Sequence, residues 1–371
     1  MKYFYIYSAG GGAGDWNGVK RVWSQSMPSE LKKSVLIKFG DIFFNHASAK
    51  LPIKPKNWVS LTNARDWLSI SVNDPTVKTS TEIILDNGTS KLINFISHGV
   101  TKDPVRIIEE FEKIIYEYDV IKKYADVIKV SGIDFAVSID LPNTFKIRSQ
   151  SVGTSTDFFN VTHYSKLIEL CASYANQLYQ SIGDGAENRI MLTVNGLWTK
   201  NELSNYLSRL DFDPKNIAVG ALTKATEEEI RLAVNTINEV IGINKINRIH
   251  FLGCGGIKKS SIIKNMVNGD RISVDNSTPM NRAIDGNTSN TSYSGYFDMD
   301  SRKLYRINNL TAAAVLSIHS TSSNKYFSDS EMEGIIGLIL KHQNGQSGHE
   351  TYDARAKLSF HNHLVFANNA N

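Results

Sequence analysis

The chain has 371 residues and a mass of 41.4 kDa, which is long for one compact domain but suits an α/β barrel that carries a small additional subdomain. Its formal net charge of +4 and pI near 8.8 permit an anionic partner without requiring one. The two cysteines, Cys171 and Cys254, lie far apart, which excludes a disulfide scaffold and a cysteine zinc site.

Nothing in the sequence indicates export or a membrane. Met1 to Ser8 is too short and too aromatic for a signal peptide, and the chain contains no run of about 18 apolar residues. We therefore predict a cytoplasmic protein that makes no membrane contact. Asn-x-Ser/Thr triplets such as those at Asn87 and Asn290 are then chance matches.

The first segment, Lys2 to Tyr7, alternates like a strand and leads into a glycine-rich loop, Ala9 to Asp15. The loop lacks the Gly-Lys-Ser/Thr ending of a P-loop and the spacing of a dinucleotide fingerprint. A flexible turn is the favoured interpretation, and an approach of its backbone to a nucleic-acid phosphate is the alternative.

Short β-branched runs then recur along the chain, each ending in a polar residue or glycine. The eight runs are Val35–Phe39, Trp58–Leu61, Glu82–Leu85, Ile133–Ile139, Ile190–Val194, Ile217–Val219, Arg248–Leu252 and Ile272–Val274.

Stretches with helical periodicity separate these runs. The clearest are Pro104–Ala125, with Asp103 as its cap, and Thr226–Ile241; Lys200–Leu210 and Lys258–Val267 are similar. This alternation predicts a (β/α)8 TIM barrel, although a doubly wound open sheet has the same local rhythm.

We place the barrel in residues 1–290 and a small C-terminal appendage in residues 291–371. The boundary follows from the change to a polar, low-complexity segment at Asn287–Ser292, which is typical of an exposed loop. The appendage has one clear helix, Ser330–His342, and a closing run, Ala356–Asn362. Phe327, just before the helix, is placed to pack on its first turn like a hydrophobic staple.

Closing a barrel would bring the polar strand ends to one face. These ends include three carboxylates, Asp86, Asp140 and Asp275. Each alone is also typical of an Asx-turn or helix cap, but like charges raise one another's pKa, and that cost favours a functional cluster. The residues fit either a hard-cation site or glycosyl transfer by a carboxylate nucleophile with a second acid/base carboxylate.

Strand-end motifs in the same order resemble those of the tRNA-guanine transglycosylase superfamily, which exchanges guanine for a 7-deazaguanine on a (β/α)8 barrel. The similar segments are Leu61-Thr62-Asn63-Ala64, Ile84-Leu85-Asp86-Asn87-Gly88, Val137-Ser138-Ile139-Asp140, Val194-Asn195-Gly196, Ala218-Val219-Gly220-Ala221-Leu222, His250-Phe251-Leu252-Gly253, Val274-Asp275-Asn276-Ser277-Thr278-Pro279 and Ser359-Phe360-His361-Asn362.

The resemblance implies a role for each matching residue. Asp275 would be the nucleophile that attacks the sugar C1′, and Asp86 the general acid/base or positioning carboxylate. Asp140 would accept hydrogen bonds from the N1–H and amino group of guanine, while Asn195 and the backbone of Gly220 and Ala221 donate to O6. The implied substrate-binding set also includes Asn87 and Leu222.

The chain also departs from the family pattern. Members that act on tRNA hold zinc with three cysteines and the closing histidine, whereas here His361 has no cysteine near it in sequence. We therefore predict that the zinc site, and any other cofactor, is absent, and we interpret His349, His361 and His363 as exposed or core-capping residues rather than an alternative metal site. Asn281 stands where the family has an arginine, and Arg282 follows it.

These departures favour the branch of the superfamily that places 7-deazaguanines into DNA, in bacteria and in phages. A phage-encoded member would act in the host cytoplasm. The expected partners are DNA, free guanine and a free 7-deazaguanine base. The alternatives are a zinc-free tRNA enzyme and a non-catalytic barrel that binds nucleic acid or a partner subunit. A homodimer or a helper protein that opens the duplex is compatible with the sequence.

A duplex target would require the guanine to be flipped out. Three tryptophans and one loop are candidate wedges, with core packing the favoured interpretation for each tryptophan: Trp16, Trp23, Trp198 and the Thr288–Tyr293 loop. Four basic residues are candidate phosphate contacts, with surface solvation favoured: Lys20, Arg21, Lys258 and Lys259.

Overall fold

Each parallel strand of the main sheet pairs with the next along the chain, and the last pairs with the first, so that eight strands close into a barrel. The computed structural model describes residues 1–7, 27–38, 81–89, 92–93, 96, 101, 103–141, 161–267, 269–276, 279, 283, 294–346 and 348–370. The barrel strands are β1 Lys2–Tyr7, β2 Ser34–Lys38, β3 Glu82–Asp86, β4 Phe135–Val137, β5 Ile190–Asn195, β6 Asn216–Gly220, β7 Arg248–Phe251 and β8 Ile272–Asp275.

The predicted (β/α)8 fold is confirmed, and the open sheet is excluded because Tyr3 of β1 pairs with Val274 of β8. One strand assignment was wrong. Lys2–Tyr7 is the first barrel strand, and β2 pairs directly with β3, which leaves no place between them for Trp58–Leu61. That run lies outside the described residues. A short β-branched run gives the same local pattern in either position, so periodicity could not choose between them.

Alternate strand residues fill the inside of the barrel. The apolar interior cluster consists of Phe4, Ile6, Leu36, Ile84, Val137, Met191 and Ala218. Since side chains alternate between the two faces of a strand, Asp86, Asn195 and Gly220 share the inward face of their strands. Asp275 is in register with the inward-facing Phe4. The fold therefore directs four predicted site positions inward at the carboxyl end of the barrel.

The helices that flank the strands are α1 Ser29–Lys32, α2 Pro104–Glu117, α3 Val120–Val130, α4 Val161–Ile182, α5 Ala186–Arg189, α6 Lys200–Leu207, α7 Glu227–Val240 and α8 Ile257–Met266. The chain after β8 contains the hairpin strands β9 Gly295–Phe297 and β10 Leu304–Arg306, then α9 Ala312–Thr321, α10 Asp329–Gln343 and α11 His349–Ala370. A 3-10 turn, Ile243–Lys245, precedes β7.

Local capping explains where several helices begin. Asp103 caps α2, as predicted, by accepting a hydrogen bond from Arg106 N at 2.9 Å. Thr226 caps α7 in a capping box with Glu229. The helix predicted over Pro104–Ala125 is divided in two, because Asp119 adopts a left-handed conformation with φ of 51° and separates α2 from α3.

Helix α11 joins the barrel to the segment that precedes it. Phe360, Leu364 and Val365 belong to the main core, while Ala354 and Leu358 belong to a second cluster built by residues 283–339. The ring of Phe360 lies 5.8 Å from that of Tyr5 on the outer face of β1. The predicted closing run, Ala356–Asn362, is thus part of a helix, and the predicted domain boundary near residue 290 lies outside the described residues.

Two adjacent polar residues of α11 bind the edge of β9. Asn362, which is fully buried, donates to Gly295 O at 2.8 Å and accepts from Phe297 N at 3.0 Å. His361 Nε2 donates to Phe297 O at 2.9 Å, and its ring stacks on Tyr296 at 4.7 Å. Buried backbone groups that would otherwise lack partners are satisfied in this way.

Within the described part of the chain, no helix is long and apolar enough to span a membrane.

Substituting Asn362 by Ala should destabilise the fold by about 2–4 kcal/mol, because it leaves the amide of Phe297 and the carbonyl of Gly295 buried without this partner. Urea unfolding measures the loss. Asn235, which is exposed on α7, offers the control, and Asn235→Ala should change stability by less than about 0.5 kcal/mol. Equal effects of the two substitutions would show that Asn362 does not hold β9.

Candidate active site

Asp275 ends β8 at the carboxyl end of the barrel, with 5% of its surface exposed. Its Oδ1 atom accepts hydrogen bonds from Gly253 N at 2.8 Å and from His250 Nε2 at 3.0 Å. His250 itself is fully buried, and its Nδ1 lies 2.9 Å from Ser273 Oγ. Two donors on one oxygen stabilise the ionised carboxylate in a site where burial alone would disfavour it.

The turn after β7 is built around the backbone of Asp275. Gly253 has φ of 70°, and Gly255 N donates to Asp275 O at 2.7 Å. A Cβ atom at Gly255 would lie 2.9 Å from that same carbonyl oxygen, so only glycine fits without a shift. Cys254 lies between these two glycines. Burial raises the pKa of its thiol to about 12, so the thiol remains neutral.

Asp140 is the centre of a second polar group, which follows β3 and β4. Its Oδ1 accepts from Asn87 Nδ2 at 2.8 Å and from Thr89 Oγ1 at 3.1 Å. Burial raises the pKa of Asp140 to about 6; the bonds from Asn87 and Thr89 oppose the rise, and the charge of Asp86 adds to it. Asp86 and Asp140 are therefore electrostatic neighbours.

Backbone carbonyls connect this group to the neighbouring strand. Ser138 O accepts from Asn87 Nδ2 at 2.6 Å and from Thr193 Oγ1 at 2.7 Å. Two residues further along β5, Asn195 Oδ1 accepts from Leu197 N at 2.9 Å, and among the described residues Nδ2 of Asn195 has no acceptor. The amide of Asn195 thus lies at the carboxyl end of the barrel.

The turn after β6 completes the predicted set. Ala221 adopts φ of 65°, a left-handed conformation that is uncommon outside glycine, and Leu222 is fully buried. Lys259 Nζ donates to Leu222 O at 2.6 Å and to Thr223 O at 2.7 Å, so it holds this turn. The strained backbone at a strand end is a feature that clusters at functional sites.

The fold brings the predicted residues into two groups. Asp86, Asn87 and Asp140 lie together, and Asp275 lies with residues after β7; the ends of β5 and β6 are joined by the pairing of Asn195 with Gly220. Trp198 packs in the core against Tyr206, with ring centroids 4.9 Å apart, as favoured by sequence. Several predicted contacts lie outside the described residues: Trp16, Trp23, Lys20, Arg21, Asn281, Arg282 and the Thr288–Tyr293 loop.

The sequence prediction assigned no role to the residues that hold the carboxylates. These are Thr89, His250, Gly253, Gly255 and Ser273. Lys259, a candidate phosphate contact for which surface solvation was favoured, holds the turn after β6. Side chains alternate between the two faces of β7, and His250 is two residues before Leu252, so the two share a face. This alternation could have predicted that His250 points into the barrel. Its partner on β8 could not be identified, since strand register is not readable from the sequence.

The three histidines of α11 lie in different surroundings. His349 is exposed, His361 bonds the carbonyl of Phe297, and His363 Nδ1 lies 2.7 Å from Tyr3 OH. No three potential metal ligands cluster anywhere in the described ranges, and both cysteines lie in the barrel. The surroundings of His361 hold no thiolate, so they do not fit the family's zinc site.

No protein-family model and no curated protein matches the chain. Among solved structures it is similar to one described as a fructose-1,6-biphosphate aldolase from Coccidioides immitis, with a TM-score of 0.43 and 9% identity over 100% of this chain and 90% of that one. A likeness at this level carries no argument about chemistry. The barrel assignment rests on the strand pairing itself.

Gly255 and Gly256 offer a matched pair of tests. We expect Gly255→Ala to destabilise the protein by about 1–3 kcal/mol, because its Cβ must displace the Asp275 carbonyl. Gly256→Ala places its Cβ 3.8 Å from the nearest atom and should cost less, only the N-cap preference for glycine over alanine. Thermal unfolding compares them, and a larger loss in Gly256→Ala would contradict the close approach.

Asp140 should titrate near pH 6. Because its folded pKa of about 6 is above the unfolded-chain value, its ionisation should reduce the stability of the wild-type protein as pH rises from about 4 to about 6. Relative to Asp140→Asn, the wild type should lose on the order of 1–2 kcal/mol over that range in urea unfolding. The carboxyl-carbon shift of Asp140 gives the midpoint directly, and a midpoint near pH 4 would refute the prediction.

Proposed function

We propose that the chain is an enzyme, a DNA-guanine transglycosylase that exchanges guanine in DNA for a 7-deazaguanine base. The observation that carries the proposal is Asp275, a buried carboxylate at a strand's carboxyl end whose Oδ1 is held by Gly253 and His250. Active sites of (β/α)8 enzymes lie at this end of the barrel. The order of the strand-end motifs, which resembles the tRNA-guanine transglycosylase superfamily, supports the same assignment.

The proposed reaction has two displacements. Asp275 attacks C1′ of the target nucleotide, the C1′–N9 bond breaks, and its electron pair leaves with the guanine, which Asp86 protonates. The incoming 7-deazaguanine then loses its N9 proton to Asp86 and attacks C1′, and the bond to Asp275 breaks. Two inversions at C1′ restore the original configuration. The acid that delivers a proton in the first step thus becomes the base of the second.

Base selection would fall to the second polar group. Asn87 and Thr89 donate to Oδ1 of Asp140, which fixes the carboxylate and directs it to accept the N1–H and amino group of guanine. The amide of Asn195, together with the backbone at Gly220 and Ala221, is suited to donate to O6, and Leu222 supports that turn. A base with a different edge would leave these groups unpaired, which costs about 1–3 kcal/mol for each.

DNA is the favoured polymer because the surroundings of His361 differ from a zinc site: its Nε2 is occupied by the carbonyl of Phe297. The reaction on either polymer requires the target nucleotide to be unstacked so that Asp275 can reach the sugar.

The test offers duplex DNA and tRNA side by side with radiolabelled guanine. Label should enter DNA, and Asp275→Ala should reduce incorporation by at least about 1000-fold because the covalent step is lost. A denaturation-resistant protein–DNA adduct should form with the wild type and not with Asp275→Ala.

Asp213→Ala, which removes an exposed carboxylate before β6, is the matched control and should retain full activity. Activity that survives Asp275→Ala would remove that residue from the mechanism. Label that enters only tRNA would identify the zinc-free tRNA enzyme, and no label in either polymer would favour a non-catalytic barrel.

A further inference from the structure

We infer that His250 is a positioning residue that holds Oδ1 of Asp275 through its Nε2–H, so that Oδ2 is the oxygen that reacts. The inference rests on the proposed function for its chemical consequence. His250 cannot touch a substrate, because its side chain is fully buried beneath Asp275. Its ring meets Phe4 of the interior cluster edge-on, with centroids 5.4 Å apart. It therefore acts only through Asp275.

The hydrogen-bond chain decides which ring nitrogen carries the proton. An ionised carboxylate can only accept, so Nε2, at 3.0 Å from Asp275 Oδ1, must be protonated. Ser273 Oγ lies 2.9 Å from Nδ1 and donates to Ile249 O at 3.3 Å. Ser273 thus contacts the other ring nitrogen and leaves Nε2 to the carboxylate.

The second donor makes the two oxygens of Asp275 unequal. Gly253 N lies 2.8 Å from the same Oδ1, so this oxygen has two partners, and among the described residues Oδ2 has none. When Oδ2 bonds to C1′, Oδ1 becomes the carbonyl oxygen of the aspartyl ester and carries less charge. When the C1′–Oδ2 bond breaks, its electron pair returns to the carboxylate, and both donors regain a charged acceptor.

It follows that His250 favours the free carboxylate over the ester. Its loss should slow breakdown of the covalent intermediate more than formation, since the carboxylate becomes a poorer leaving group. A residue with a merely structural role would instead reduce formation of the intermediate along with everything else. The partition between formation and breakdown therefore distinguishes positioning from packing.

The test combines two variants with full-length protein and a guanine-containing duplex. His250→Leu removes the donor, and we expect adduct breakdown in the presence of free base to slow by about 10- to 100-fold while adduct formation changes less. His250→Gln retains an amide N–H near the position of Nε2 and should recover most of the breakdown rate. Slower formation with unchanged breakdown in His250→Leu, or no rescue by glutamine, would overturn the inference.

A second measurement does not depend on activity and remains decisive if His250→Leu fails to fold. Nitrogen-15 spectra of the histidine rings should show a proton on Nε2 of His250, with its Nε2–H signal shifted by Asp275→Asn. A Nδ1–H tautomer, or a signal indifferent to Asp275→Asn, would overturn the inference even if the protein exchanges bases. The expected spectra with no base exchange would instead reject the proposed function and leave the contact between His250 and Asp275 established.

Discussion

The pairing of β1 with β8 is the constraint on which the site depends. It closes the sheet, and it sets Asp275 beside Phe4, a residue of the barrel interior. Without closure, the ends of β3, β4 and β8 would be spread along the edge of an open sheet, with Asp86 and Asp275, nearly 190 positions apart in sequence, on strands far from each other. Three carboxylates at one end of the barrel repel one another, and this repulsion is offset by hydrogen bonds that Asp140 and Asp275 each receive from their own neighbours.

That offset takes a different form in each group. Asp275 receives one bond from a histidine ring and another from a backbone amide, both on one oxygen. Asp140 receives bonds from Asn87 and Thr89, but burial and the charge of Asp86 still raise its pKa to about 6. The two carboxylates thus differ in their surroundings: both donors of Asp275 lie on one oxygen, whereas the pKa of Asp140 is raised toward neutral pH.

Sequence reasoning could predict the barrel and the positions of the polar strand ends because both depend on local pattern. Short β-branched runs, helix caps such as Asp103 and Thr226, and polar terminations are visible in single segments. It could not predict which segment closes the barrel, because Lys2–Tyr7 and Trp58–Leu61 carry the same pattern and only pairing decides between them. Nor could it find the bond between His250 and Asp275, which depends on the register of β7 against β8.

Helix α11 contacts the residues beside Asp275 through Tyr3. Tyr3 of β1 reaches between helix α11 and the residue that follows Asp275: its OH lies 2.7 Å from His363 Nδ1 and 3.4 Å from Asn276 O. Burial lowers the pKa of His363 to about 3, so the ring is neutral and the contact is a hydrogen bond rather than an ion pair. A neutral, buried contact does not compete for the charge of Asp275, whereas a cation there would attract it away from Gly253 and His250. Helix α11 therefore fixes the backbone beside Asp275, while in the part of the chain that the structure describes the carboxylate of Asp275 is hydrogen-bonded only by Gly253 and His250.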